Sequence, residues 1–143
     1  MIKGFRHTGI VVHNLEKVCN FYVSLGFSIK SQALEKGAFI EQVTGLKNVN
    51  LKWIKMNLPD GTLLELLKYD SPKLPLIKEK QIANKYGVSH MAFTVNKIND
   101  FCKEVENSGG SIVNIPALTN NKKFKVVYCH DVEGNLFEAV EII

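Results

Sequence analysis

Alternating apolar and polar positions predict a strand, a helix and three more strands in the first half of the chain. Residues 5–12 alternate with His7 on one face and Ile10 on the other. A helix should follow, because Asn14 is a good N-cap and apolar residues then recur at helical spacing until Gly26. The next three strands are predicted at residues 27–34, 49–58 and 62–69. Residues 37–45 fit either a short helix closed by Gly45 or an irregular strand.

The second half repeats this pattern. His90 lies 83 positions after His7 (90 − 7), and the same offset relates the apolar stripe and the stop glycine of the two helices. Near the end of each half, a glycine turn and a strand glutamate recur at an offset of 73 (138 − 65), from Glu65 to Glu138. The segment 37–45 can account for the longer first copy. A duplicated unit with pseudo-twofold symmetry follows.

These elements predict an α+β fold made of two βαβββ modules within a single domain, residues 1–143. The first module would span residues 1–70 and the second residues 88–143. Residues 71–87 contain two prolines, several lysines and only weak periodicity, which is typical of a linker.

Composition and charge argue against several classes of protein. Apolar residues make up 45% and charged residues 22%, as in ordinary globular proteins, and no apolar run is long enough to cross a bilayer. The net charge of +4 comes from dispersed lysines, whereas a nucleic-acid surface needs a denser basic face with aromatic residues. Three cysteines are too few and odd in number for a disulfide framework. We therefore expect no membrane or nucleic-acid partner, and a location in the reducing cytoplasm.

Two histidines and two glutamates occupy repeat-related positions that the pattern places in the middle of strands: His7, Glu65, His90 and Glu138. A carboxylate in a half-buried strand is costly without a partner, and the symmetry would bring all four side chains together where the half-sheets meet. Imidazole nitrogen and carboxylate oxygen suit Zn, Ni, Co, Mn or Fe. For any one of these four residues taken alone, the alternative is an ordinary polar strand residue with no role in metal binding. Their shared register favours one divalent metal ion with open positions, a Lewis-acid site.

Five segments resemble the vicinal oxygen chelate superfamily, which includes glyoxalase I, methylmalonyl-CoA epimerase, extradiol dioxygenases, and fosfomycin and bleomycin resistance proteins. The segments are residues 6–12 (RHTGIVV), 20–27 (NFYVSLGF), 59–66 (PDGTLLEL), 89–93 (SHMAF) and 131–138 (DVEGNLFE). The resemblance covers nearly all of the chain. It implies paired βαβββ modules that close into a cup around one metal.

The resemblance also implies a type of reaction. In members with two histidines and two glutamates, such as glyoxalase I, the metal holds vicinal oxygens of the substrate while a glutamate moves a proton. Carried over, His7, Glu65, His90 and Glu138 would be the metal ligands, and Glu65 or Glu138 would also be the base. The implied function is that of a metal-dependent lyase, isomerase or epimerase acting on a small carbonyl or thioester substrate.

Several alternatives stay open at this stage. An Fe(II) ring-cleaving dioxygenase or a resistance-type transferase can use the same fold, typically with three metal ligands. A non-catalytic small-molecule-binding protein is a further alternative, and such proteins generally lack metal ligands. The modules could pair within one chain or between the chains of a homodimer. Glu41, in the extra segment, is a candidate second base, with a solvated helix charge as the alternative. Trp53 and Tyr128 could line the pocket or simply pack in the core.

Overall fold

The strands of the described residues form two sheets. The computed structural model describes residues 1–76 and 79–143, and the chain divides into two compact units, residues 1–77 and 78–143. Each unit has its own sheet and its own helix packed on that sheet. Within the described ranges, no helix is both long and apolar enough to span a membrane.

The first unit has one parallel and two antiparallel strand pairs. Its elements are β1 (Thr8–Val11), α1 (Leu15–Ser24), β2 (Ser28–Lys36), α2 (Ala38–Thr44), β3 (Asn50–Asn57) and β4 (Leu63–Ser71). The strand order is β1-β4-β3-β2, with β1 parallel to β4 and the other pairs antiparallel. The crossover from β1 to the parallel strand β4 passes through α1, β2, α2 and β3, so the first and last strands of the unit become neighbours.

Helix α1 begins and ends where its sequence signals predict. The side chain of Asn14 accepts a hydrogen bond from the backbone N–H of Lys17 at 3.0 Å. At the other end Gly26 has a φ of +103°, a conformation that favours glycine. Between these caps, Val18 and Tyr22 are fully buried and α1 packs on β3 and β4, whose inward side chains include Leu64 and Leu66. This face of the sheet is therefore the core of the first unit.

The segment that was ambiguous in the sequence is a helix. Helix α2 follows Gly37 and is closed by Gly45 in the left-handed conformation, with a φ of +71°. Its buried residue Ile40 packs with Val49 and Leu51 in a small apolar cluster. The helix accounts for the extra length of the first copy, because the second unit has no helix between its second and third strands.

The second unit repeats the same topology. Its elements are β5 (Met91–Val95), α3 (Ile98–Asn107), β6 (Ser111–Ile112), β7 (Ala117–Leu118), β8 (Phe124–His130) and β9 (Leu136–Ile142). The strand order is β5-β9-β8-β6, with β7 also paired to β8 and β5 parallel to β9. The core contains Ile98 and Val105 from α3, together with Phe137 from β9, all fully buried. The predicted α+β class and the two βαβββ modules are confirmed.

The pattern of the second half predicts a strand at residues 111–115, but the structure keeps only β6 (Ser111–Ile112) of it, and the short strand β7 lies beyond it. The side chain of Asn114 accepts a hydrogen bond from the N–H of Ile115 at 2.9 Å, in place of a ladder partner. Pro116 then supplies no N–H.

The predicted linker, residues 71–87, includes residues 77 and 78, which lie outside the described residues. Its other residues beyond β4 contain no helix or strand.

The sequence repeat is also present in the strand register. Gly9 is opposite Glu65 in the pair β1–β4, and Ala92 is opposite Glu138 in the pair β5–β9. These are the same repeat positions that the offsets of 83 and 73 relate (92 − 9 and 138 − 65). The two copies are therefore equivalent at the strands that carry the glutamates.

Candidate metal centre

The first His–Glu pair lies on neighbouring strands of the first unit. Nε2 of His7 is 3.1 Å from Oε2 of Glu65. Glu65 is on β4 opposite Gly9, and His7 is two residues before Gly9, so both side chains lie on the same face of the sheet. Sequence reasoning placed His7 within a strand, but β1 begins at Thr8, because residues 1–7 have no paired strand in the described unit.

The second pair has the same geometry in the second unit. Nε2 of His90 is 3.3 Å from Oε2 of Glu138. Glu138 is opposite Ala92, and His90 again stands two residues before that position and directly before its strand, β5. The structure therefore brings each predicted histidine to the glutamate of its own module.

The hydrogen bonds of Ser89 favour one tautomer of the neutral His90 ring. The Ser89 hydroxyl donates to the carbonyl of Ala83 at 2.8 Å, and its oxygen is 3.1 Å from Nδ1 of His90. Since the single hydroxyl proton is directed at Ala83, Ser89 must accept from His90 Nδ1–H. In the neutral ring, Nε2 then presents a lone pair to a carboxylate oxygen of Glu138. Two acceptors at this distance need a cation or a proton between them, which suits a metal ligand.

His7 differs from His90 at Nδ1, the ring nitrogen that in His90 contacts Ser89. Its Nδ1 is buried and has no hydrogen-bond partner among the described residues. The residue before it, Arg6, occupies the repeat position of Ser89 but is exposed. The two histidines therefore match at Nε2 and differ at Nδ1, so only His90 has its ring orientation fixed by a neighbour.

The spacing within each pair suits a divalent ion. Metal–nitrogen and metal–oxygen bonds of about 2.0–2.2 Å place two adjacent donors of one ion roughly 3 Å apart. The observed separations of 3.1 and 3.3 Å agree with this. Within either unit, the described residues bring no third His, Cys, Asp or Glu side chain into such a group. Each module thus supplies two donors, half of the predicted set of four.

Sequence reasoning did not single out Lys55, which contacts the first pair. Its Nζ is 3.3 Å from Oε1 of Glu65, the carboxylate oxygen that does not face His7. The ammonium also lies 4.6 Å from the ring centroid of Trp53. Lys55 could have been found from the hairpin, because the antiparallel pairing of β3 and β4 around the turn at Gly61 places it opposite Glu65.

The second pair has an aromatic neighbour in the same place. Tyr128 is opposite Glu138 in the pair β8–β9, and its ring centroid is 4.8 Å from that of His90. Tyr128 therefore contacts the candidate ligand His90, and a role in lining a pocket stays a prediction. Trp53 has mixed surroundings, because it packs against the α2 cluster and its indole N–H points to Glu35 at 3.5 Å.

The contacts of Glu41 stabilise the loop that follows α2. Its Oε1 accepts a hydrogen bond from the N–H of Asn48 at 2.9 Å, and its Oε2 is 3.9 Å from Nζ of Lys47. These contacts hold the segment that follows α2. A role for Glu41 as a second base stays a prediction.

The cysteines are buried and unpaired with one another: Cys19, Cys102 and Cys129. Burial raises the pKa of each thiol, that of Cys129 to about 12. Thiolate is the nucleophilic and metal-binding form, so these side chains are poorly suited to catalysis or to binding the ion.

Comparisons with known proteins give the family and the fold of the chain. The family model of the Glyoxalase/Bleomycin resistance protein/Dioxygenase superfamily matches residues 4–139. A glyoxalase family protein from Bacillus cereus has 23% identity and a TM-score of 0.92, over 100% of this chain and 96% of that chain. No curated protein matches the sequence.

Two more distant solved structures share the fold. A fosfomycin resistance protein from Listeria monocytogenes, in complex with Mn(II) and sulfate, has 16% identity and a TM-score of 0.66, over 100% of this chain and 95% of that chain. A glyoxalase I mutant from Zea mays has 14% identity and a TM-score of 0.65, over 94% of this chain and 44% of that chain. With the family model matching most of its length, the chain belongs to the Glyoxalase/Bleomycin resistance protein/Dioxygenase superfamily.

Proposed function

We propose that the protein is a metal-dependent, glyoxalase-like enzyme that transfers a proton next to the carbonyl of a small substrate. One divalent ion, of Zn, Ni, Co, Mn or Fe, would be held by His7, Glu65, His90 and Glu138. The observation that carries the proposal is the repeated His–Glu pair, with Nε2 and Oε2 separated by 3.1 Å in one module and 3.3 Å in the other. The reaction class would be that of a lyase, isomerase or epimerase.

Each residue then has a defined task. The bound ion would supply Lewis-acid polarisation of a substrate carbonyl, which acidifies the adjacent C–H bond. Ser89 holds the ring of His90 with Nε2 free to bind. A carboxylate beside the substrate, that of Glu65 or Glu138, accepts the proton from carbon and returns it to the neighbouring position. Both carboxylates are only partly exposed, so few water molecules compete for that proton.

The direct test of this reaction is exchange of the substrate proton. The metal-loaded protein in D₂O is incubated with small carbonyl and thioester compounds, including the glutathione adduct of methylglyoxal and methylmalonyl-CoA, and carbon-bound hydrogen is followed by NMR. We expect exchange in at least one compound, lost in Glu65→Gln and Glu138→Gln. His13→Gln is the matched control, since His13 belongs to neither pair, and it should retain exchange. If no compound exchanges in the metal-loaded wild type, the proposed reaction is wrong.

Two other chemistries of the superfamily predict different results for the same preparations. A ring-cleaving dioxygenase would require Fe(II) and consume oxygen with a catechol. The Listeria relative is described as a fosfomycin resistance protein with Mn(II), so a resistance-type enzyme would consume fosfomycin when loaded with that metal. A non-catalytic binding protein would hold a ligand without altering any of these compounds.

The proposal also covers the oligomeric state and the cellular location of the protein. A homodimer in which modules pair between chains would supply the same four ligands as pairing within one chain, and the mass of the metal-loaded protein in solution separates a monomer from a dimer. Three buried, unbridged cysteines suit the reducing cytoplasm.

A further inference from the structure

Lys55 is a cation built into the face that carries the first His–Glu pair. Its Nζ is 3.3 Å from Oε1 of Glu65 and 4.6 Å from the ring centroid of Trp53. An ammonium has three N–H donors, and the contact with one carboxylate oxygen uses one of them. The side chain is 28% exposed, so a small molecule can still reach it.

The repeat shows that this cation is particular to one module. Lys55 is opposite Glu65, and Tyr128 is opposite Glu138, at the same offset of 73 that relates the two glutamates (128 − 55 and 138 − 65). The histidines and glutamates are the same residue types in both copies. The residue opposite the glutamate differs between the copies: it is the charged Lys55 in the first and the neutral Tyr128 in the second.

We infer that Lys55 makes the site selective for substrates that carry an anionic group, such as a carboxylate next to the reacting carbonyl. This inference rests on the proposed function, in which both pairs bind one ion. The two carboxylates of Glu65 and Glu138 balance a divalent ion, so the ammonium of Lys55 leaves a net positive charge. That charge favours a negatively charged substrate, and the remaining N–H donors of Lys55 can bond its carboxylate.

The experiment compares a charged and a neutral probe on the Co(II)-loaded full chain. Pyruvate carries a carboxylate next to its carbonyl, and methyl pyruvate replaces that charge with an ester. Each is titrated while the visible absorption of the Co(II) is followed. We expect Lys55→Met to weaken pyruvate binding by about tenfold or more, because it removes a charge-assisted hydrogen bond, and to change methyl pyruvate binding less than about threefold. Lys55→Arg should restore most of the pyruvate affinity.

A lysine on the same strand provides the control. Nζ of Lys52 forms a cross-strand ion pair with Asp70 at 2.9 Å, and Lys52 points to the opposite face of β3 from Lys55. Lys52→Met should therefore leave pyruvate binding unchanged. If Lys55→Met weakens both probes equally, or if Lys52→Met causes the same loss, Lys55 is a cross-strand ion pair only and the inference is overturned. A wild-type protein that holds no Co(II) would instead refute the proposed function, and this inference with it.

Discussion

Removing the hydroxyl of Ser89 should weaken metal binding, because this group fixes the ring of His90. The hydroxyl oxygen lies 3.1 Å from His90 Nδ1, and the O–H group donates to the carbonyl of Ala83 at 2.8 Å. Ser89→Ala deletes both interactions and leaves the imidazole able to adopt either tautomer. A fraction of the rings would then carry the proton on Nε2, the atom that faces Glu138, and would not bind a metal.

The size of the effect follows from the contact that is lost. One hydrogen bond contributes about 1 kcal/mol, which corresponds to about a fivefold change in Kd. Where the hydrogen bond also orients the ring, the total loss is larger, since removing an outer partner of a metal-bound histidine typically weakens binding by about 10- to 100-fold. We therefore expect Ser89→Ala to raise the Kd for Zn(II) by between about fivefold and 100-fold.

The assay is competition for Zn(II) between the full chain and a chromophoric chelator, together with ¹⁵N NMR of the imidazole to read the tautomer. Ser89→Thr keeps a hydroxyl and should retain most of the affinity. Ser111→Ala is a matched control in the same unit, because it removes a hydroxyl that accepts from Nζ of Lys80 at 2.7 Å. A Kd for Ser89→Ala within about twofold of wild type, with the tautomer unchanged, would refute the reasoning.

Three further predictions concern stability and reactivity. Phe137 is fully buried and contacts the rings of Phe93 and Phe101, so Phe137→Ala should lower the free energy of unfolding in urea by about 3–5 kcal/mol, and a loss below about 1 kcal/mol would contradict this packing. Burial raises the pKa of the Asp131 carboxyl in the folded protein. The contribution of this group to the free energy of unfolding is therefore complete below its unfolded-state pKa and is lost as the pH rises through its folded-state pKa. Asp131→Asn should remove this pH-dependent decline in stability, measured by urea titrations over a pH series. The three buried thiols should react with a thiol reagent only as fast as the protein unfolds, and rapid modification of the native chain would show that one is accessible.

Most of the fold could be predicted because local signals and the duplication agree. The Asn14 cap and the Gly26 stop define α1, and the repeat extends the same interpretation to α3. The early end of the strand predicted at residues 111–115 was missed because the hydrogen bond from the N–H of Ile115 to the side chain of Asn114 competes with strand pairing at short range. Alternation alone cannot show that β1 begins only where a partner strand begins, and this is why His7 was placed in the middle of a strand.

The candidate site was predictable as residue types but not as contacts. The repeat related His7 to His90 and Glu65 to Glu138, and the strand register explains why each histidine meets the glutamate of its own module. The role of Ser89 depends on where its one proton points, which no sequence pattern records. Lys55 was missed for a similar reason, since its importance comes from cross-strand pairing and from its difference from the second copy.

The central claim is that four side chains from the two modules bind one metal ion, and metal content tests it most directly. The metal in the purified full chain, before and after reconstitution, is measured by mass spectrometry for wild type, Glu65→Ala, His90→Ala and the control His13→Gln. The account predicts about one equivalent of a divalent metal per chain in wild type and the control, and loss in both site variants, because each removes one of four ligands. A wild type that holds no metal after reconstitution, or site variants that retain it, would contradict the account.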